Sequence, residues 1–116
     1  MQEDMWGYRQ AAAYRPGTKL TGFKVEATDG SIGKVDKHSE DAGAAYLVVD
    51  TGPMIFGKEV LLPAGTVVRV DVQEKKVYVD RTKAEIKDSP TFDKEKHLDD
   101  PHYREQLGTY YRRPLG

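Results

Sequence analysis

Asp29-Gly30 sits between two runs of alternating apolar residues, and this constrains the chain more than any other feature. Asp-Gly is a preferred pair for a two-residue turn whose central positions need positive φ, so the flanking runs read as a β-hairpin. Phe23 and Val25 lead into the turn, and Ile32 and Val35 follow it. Gly33 allows a bulge or a close backbone approach. Tyr46-Leu47-Val48-Val49-Asp50, a Gly-rich loop and Val60-Leu61-Leu62-Pro63 come next. The period of two places strands at about 20–27, 31–38, 44–50, 58–62, 66–72 and 75–80, the last two joined by Gln73-Glu74-Lys75. Short strands with no helix between them predict an all-β fold, a small antiparallel barrel of about six strands with short helical tails. The same period puts Leu20, Phe23, Val25, Ile32, Val35, Val48, Val60, Leu62, Val68, Val70, Val77, Val79 and Ile86 inside.

Four segments carry a resemblance: Gly22-Phe23-Lys24-Val25, Asp29-Gly30-Ser31-Ile32-Gly33-Lys34-Val35, Tyr46 to Asp50, and Gly57-Lys58-Glu59-Val60-Leu61-Leu62-Pro63. In this order they closely resemble the PRC-barrel domain over roughly residues 18–90. That family includes the cytoplasmic part of the photosynthetic reaction-centre H subunit, the C-terminus of a ribosome-maturation factor, and small stand-alone bacterial proteins. The resemblance is strongest to the stand-alone type. It implies a barrel used for binding and assembly, and the ribosome-maturation relative engages a protein partner through its barrel. Fold alone does not specify chemistry.

A length of 116 residues suits one domain with its own core. It divides into an N-terminal tail (1–17), the barrel domain (18–90) and a C-terminal tail with a short helix (91–116). The absence of Cys excludes disulfides, thiolate metal sites and cysteine nucleophiles. Eighteen Lys and Arg against nineteen Asp and Glu give a net charge of −1, so no basic field points to nucleic acid or an anionic membrane. The start, MQEDMWGYRQ, lacks the apolar segment of a secretory signal. No window approaches the roughly 20 apolar residues of a membrane helix. The expectation is a cytoplasmic protein without membrane insertion. The reaction-centre H subunit carries a membrane anchor that this sequence lacks.

Glu3 to Tyr14 can form a short helix that Arg15-Pro16-Gly17 stops. Asp80 or Thr82 can cap a helix through residues 83–87, ended by Ser89-Pro90, with Ile86 closing one end of the barrel. Residues 91–100 are charged and loop-like. Asp99-Asp100-Pro101 then reads as a helix start, a carboxylate cap followed by Pro. Tyr103, Leu107, Tyr110 and Tyr111 recur at helical spacing and define one aromatic face.

The candidates for chemistry each have a duller reading. His97, Asp99, Asp100 and His102 offer imidazole and carboxylate ligands, but Pro101 interrupts the cluster and its spacing is not that of a structural zinc site. Helix capping and solvated surface are the preferred reading, with a metal enzyme using His97, Asp99 and His102 as the alternative. Asp29 to Gly33 lacks the glycine-then-Lys pattern of a phosphate loop and joins two strands. The Ser residues form no nucleophile elbow. His38 reads as a loop residue, and Glu26, Asp29, Asp36 and Asp50 as solvated or turn-bonding carboxylates. No catalytic residue, cofactor or metal is assigned.

Two features point to contact instead. Met54, Ile55 and Phe56 place three large apolar side chains in a loop, where a contiguous apolar patch often marks an interface; a barrel plug is the alternative. Tyr46 to Val49 and Val60 to Leu62 are apolar on both faces, so something must cover the outer one. Trp6, Tyr8 and Tyr14 at one end, and Tyr103, Leu107, Tyr110 and Tyr111 at the other, can do so in cis or from a symmetry mate. The expectation is therefore a non-catalytic protein-binding module that forms a homodimer or higher closed oligomer. Another protein is a further partner. An accessory of an electron-transfer or reaction-centre-like complex is the alternative that the resemblance supplies.

Overall fold

The computed structural model describes residues 5–9, 12, 14, 15, 17–39, 44–52, 59–98 and 100–112. Six strands form one sheet: β1 (Lys24–Ala27), β2 (Gly30–Ser39), β3 (Tyr46–Asp50), β4 (Glu59–Pro63), β5 (Val67–Asp71) and β6 (Lys76–Val79). Their spatial order is β4-β3-β2-β1-β6-β5. Three helices follow, α1 (Lys83–Lys87), α2 (Lys94–His97) and α3 (Pro101–Arg112). The strands agree with the sequence reading to within a few residues, as do α1 and α3. α2 corrects it: the segment 91–100 holds a short helix, capped by Asp93 Oδ1, which accepts from Glu95 N at 3.0 Å.

The hairpin is present, but its turn sits one residue earlier than expected: Ala27 pairs with Gly30, so Thr28 and Asp29 form the turn, Asp29 does not take positive φ, and Gly30, at φ 134°, opens β2. A register shift after Val25 leaves Ile32 as the extra residue of β2. Gly33, at φ 150°, is where the end of β3 crosses closest. A Cβ there would lie 2.1 Å from Asp50 O, so only glycine fits. Long β2 serves both halves of the sheet, because Lys34 faces Lys24 on one side and Asp50 on the other.

Two points of the barrel expectation need correction. β1 and β6 run parallel, whereas the other pairs are antiparallel. They are joined through the whole of β2 to β5 rather than by a hairpin, and alternation along a strand says nothing about the direction of such a pairing. Nor does the sheet close: among the described residues no ladder joins its edge strands, β4 and β5. These are linked by one 3-10 turn, Ala64–Thr66, whose residues are buried. Pro63 carries no N–H at that corner. The N-terminal segment takes both backbone groups of Gly65 there. Gly65 N donates to Met5 O, and Arg9 Nε donates to Gly65 O, each at 2.7 Å.

Of the thirteen residues expected inside, all are buried except Val68, which is half-buried. A register shift between Val67 and Arg69 inverts the alternation at the start of β5, so Val67 is buried in its place. Leu47, Val48 and Val49 are all fully buried, as expected for a strand covered on both faces. The cover comes from the chain itself. Trp6, Ala12, Phe92, Tyr103, Leu107 and Tyr111 belong to the same apolar cluster as the sheet.

Candidate functional site

α3 begins where Asp100 Oδ1 accepts from His102 N at 3.0 Å, with Pro101 as its first residue. Its buried face holds Tyr103, Leu107, Gly108 and Tyr111. Tyr103 Oη donates to Pro90 O at 2.9 Å, and its ring stacks on His97 with centroids 4.3 Å apart. Tyr110 Oη donates to Glu85 O at 2.6 Å, and its ring meets Tyr111 edge-on at 5.0 Å. Burial pushes the Tyr103 and Tyr111 phenols well above the ordinary tyrosine range.

Trp6 is buried and faces α3. The Arg104 guanidinium lies 5.8 Å from its ring centroid, and a Cβ on Gly108 would come within 3.0 Å of Trp6 Nε1. Trp6 O also accepts from Ala45 N at 2.9 Å, just before β3. Tyr8 stacks on Tyr14 at 3.9 Å and packs against the core. The structure thus places Trp6, Tyr8, Tyr103, Leu107, Tyr110 and Tyr111 against this chain's own sheet and helices. Met54, Ile55 and Phe56 lie outside the described residues. Their described flanks are β3 and β4, paired from Tyr46–Pro63 at one end to Asp50–Glu59 at the other. The N-terminal segment docks at the Tyr46–Pro63 end, about 13 Å at strand rise from the Asp50–Glu59 end.

Four of the polar residues that the sequence offers for chemistry bond to backbone, while Glu26 pairs with Lys76 at 3.8 Å. His38 Nε2 accepts from Leu20 N at 3.2 Å, and His97 Nδ1 accepts from Asp93 N at 2.9 Å. Asp29 Oδ1 accepts from Lys83 N at 2.9 Å, tying the hairpin turn to the start of α1. Asp50 Oδ1 accepts from Gly52 N at 2.9 Å. Among the described residues no three His, Asp or Glu side chains gather as a metal-binding group; Asp99 lies outside them. An open groove of about 460 Å³ runs between Pro90 and the outer side of α3 past His102, Glu105, Gln106, Thr109 and Tyr110.

One constellation escaped the sequence reading. Asp80, at the end of β6, pairs with Arg9 from the N-terminal segment and with its neighbour Arg81. Arg81 also donates to Tyr111 O in α3. The sequence offers Asp80 as a helix cap alongside Thr82; the cap is Thr82, whose side chain and Glu85 form a reciprocal capping box. Residues 9, 80 and 111 share no periodicity that could have joined them.

Fold and contacts together describe a small open β-sheet module wrapped by its own tails. Among the described residues no helix is long and apolar enough to cross a membrane. No family model and no curated protein matches the sequence. A solved structure named as the 16S ribosomal RNA processing protein RimM of Pseudomonas aeruginosa is similar, at 25% identity and a TM-score of 0.47. The match covers 59% of this chain and 46% of that one, so this chain spans under half the length of that protein.

Proposed function

We propose that this chain is a non-catalytic protein-binding module of the PRC-barrel type, acting in the cytoplasm and engaging its partner through the loop between β3 and β4. The observation that carries the reading is the use of the chemically capable side chains. His38, His97, Asp29, Asp50 and Asp100 each accept from a backbone N–H, which suits a scaffold rather than an acid–base or metal centre. The tail aromatics are engaged within the chain, which favours Met54, Ile55 and Phe56 as the contact residues. A second copy is the first partner to test, because closed two-fold pairing is the commonest way to bury such a patch.

Light scattering on the wild type should give the mass of a dimer or higher closed oligomer, and Phe56→Asp should return it to a monomer. A pull-down from the native cell, with and without Met54→Ser, Ile55→Ser and Phe56→Ser, extends the test to other proteins. Captured partners indifferent to the triple change, together with a wild-type monomer, would remove the loop as the recognition surface.

A further inference from the structure

Both tails are anchored through Asp80, one on each carboxylate oxygen. Arg9 Nη2 donates to Oδ2 at 2.7 Å, and Arg81 Nη1 donates to Oδ1. The second arm of Arg81 donates to Tyr111 O, with its guanidinium 5.6 Å from the Tyr111 ring centroid. The tails also touch directly, because Trp6 fills the notch left by Gly108 and lies beside Arg104. Arg9 in turn holds Gly65 O at the unclosed corner between β4 and β5.

We propose that the N-terminal segment and α3 are two halves of one latch, keyed at Asp80, which opens and closes as a unit while the sheet stays folded. Loss of Arg9 leaves Asp80 with a single cationic partner and draws Arg81 away from Tyr111 O. It also loosens the segment that seats Trp6 against α3, whose other ties to the sheet include Met5 O on Gly65 N and Trp6 O on Ala45 N, so the helix loses a polar anchor while its apolar cover is held less firmly. Loss of the Arg81 fork leaves α3 held by its buried face and the Tyr103 and Tyr110 hydroxyls, and loosens the Gly108 notch that Trp6 occupies. The coupling is reciprocal, as any coupling between two binding events must be. Closed, the latch hides Trp6, Leu107 and Tyr111, all of them buried. Open, it presents them as one aromatic and aliphatic surface, a sub-global opening of the kind that amide exchange resolves.

The test is amide hydrogen exchange on the full chain bearing Arg9→Gln or Arg81→Lys, with Trp6, the only tryptophan, as a fluorescence reporter. Arg9→Gln should speed exchange in α3 about tenfold, the scale expected for one charge-assisted bond, although the bonds it removes run to Asp80 and Gly65 O outside that helix. Arg81→Lys keeps the charge beside Asp80 but loses the fork. It should speed exchange in residues 5–9 and shift Trp6 emission to the red. Neither change should alter β2. Faster exchange confined to residues 5–9 in Arg9→Gln, with α3 at the wild-type rate, would overturn the proposal. An equal rise in β2 would overturn it too, because the latch would then open only with the whole fold.

Discussion

The sheet and the layer of tails over it are both buried, but they are held in different ways. In β3 and β4 the contacts are apolar and continuous: Leu47, Val48, Val49 and Leu62 are fully enclosed, and each strand is laddered to its neighbour. In the tail layer, apolar contact is joined by separate polar attachments, among them Arg9 and Arg81 on Asp80, Arg81 on Tyr111 O, Met5 O, Trp6 O and Arg9 on the backbone of Gly65 and Ala45, and the Tyr103 and Tyr110 hydroxyls on Pro90 O and Glu85 O. Stability in the sheet is spread over volume and ladder, so a change there acts through steric fit. In the tails a few polar groups share the hold on several apolar side chains, so loss of one acts through the attachment it removes.

The comparison is broken most severely at Gly33. Gly33→Ala puts a Cβ 2.1 Å from a backbone oxygen at φ 150°, and neither the backbone of Asp50 nor that of Gly33 is free to yield. The expected loss is at least about 4 kcal/mol, in the range reserved for strain at special backbone positions. It should appear in urea unfolding as a collapse of the midpoint, and in amide exchange as uniform loss across β1, β2 and β3. A tail mutation should never produce that uniform pattern. Retention of wild-type stability in Gly33→Ala would mean that β2 and β3 can separate without cost, and the contrast between the two regions would fail.

What the sequence revealed follows the same division. The strands, the β1–β2 hairpin (one residue off in its turn) and the special position of Gly33 were legible because alternation and turn chemistry are local. The burial of β3 and β4 on both faces was legible from their continuous apolar runs, and the tail aromatics share one apolar cluster with them. The polar fastening of the tails was not legible, because Arg9 and Asp80 lie 71 residues apart and arginines on a charged surface carry no signal of burial. The parallel β1–β6 pair was hidden for a related reason: periodicity places a side chain on a face but does not choose a partner strand. Val68 failed through the bulge, since one extra residue exchanges the faces of what precedes it. At the candidate site, cap and turn carboxylates were legible from their positions beside Pro and Gly, while His38 gave no hint that it would bond Leu20 N.

A gentler probe separates the regions by pH. Tyr103 and Tyr111 have phenols raised above their ordinary value by burial. The folded state therefore holds these protons more tightly than the unfolded chain, and stability is undiminished below the ordinary tyrosine pKa. Above about pH 10 the unfolded chain releases protons that the folded chain keeps. Stability then falls with rising pH, by about 1.4 kcal/mol per unit for each tyrosine. Both residues lie in α3, so the tails should open before the sheet. Of the seven tyrosines, these two should develop tyrosinate absorbance only as Trp6 fluorescence reports release of α3. Ionisation of all seven in one step with Trp6 unmoved would contradict the burial that holds the tail layer.

The smallest expected effect comes from a pair of arginines that share a chemistry and differ in place. Arg69 on β5 lies 5.5 Å from the Tyr78 ring centroid and donates to Asp71 Oδ2 at 3.1 Å, much as Arg81 lies over Tyr111 and donates to Asp80. The Arg69 side chain is 63% exposed and that of Arg81 10%. Water screens the first pair, and ordering a long exposed side chain offsets most of what the contact gains. Arg69→Gln should therefore change stability by less than about 0.5 kcal/mol and leave exchange in α3 at its wild-type rate. Arg81→Gln should cost about 2 kcal/mol, because it strips a donor from the buried Tyr111 carbonyl and a cation from Asp80. Urea unfolding of the two variants side by side measures the difference. Equal losses would mean that burial is not what gives the Asp80 fastening its strength, and the tail layer would then be held by apolar contact alone.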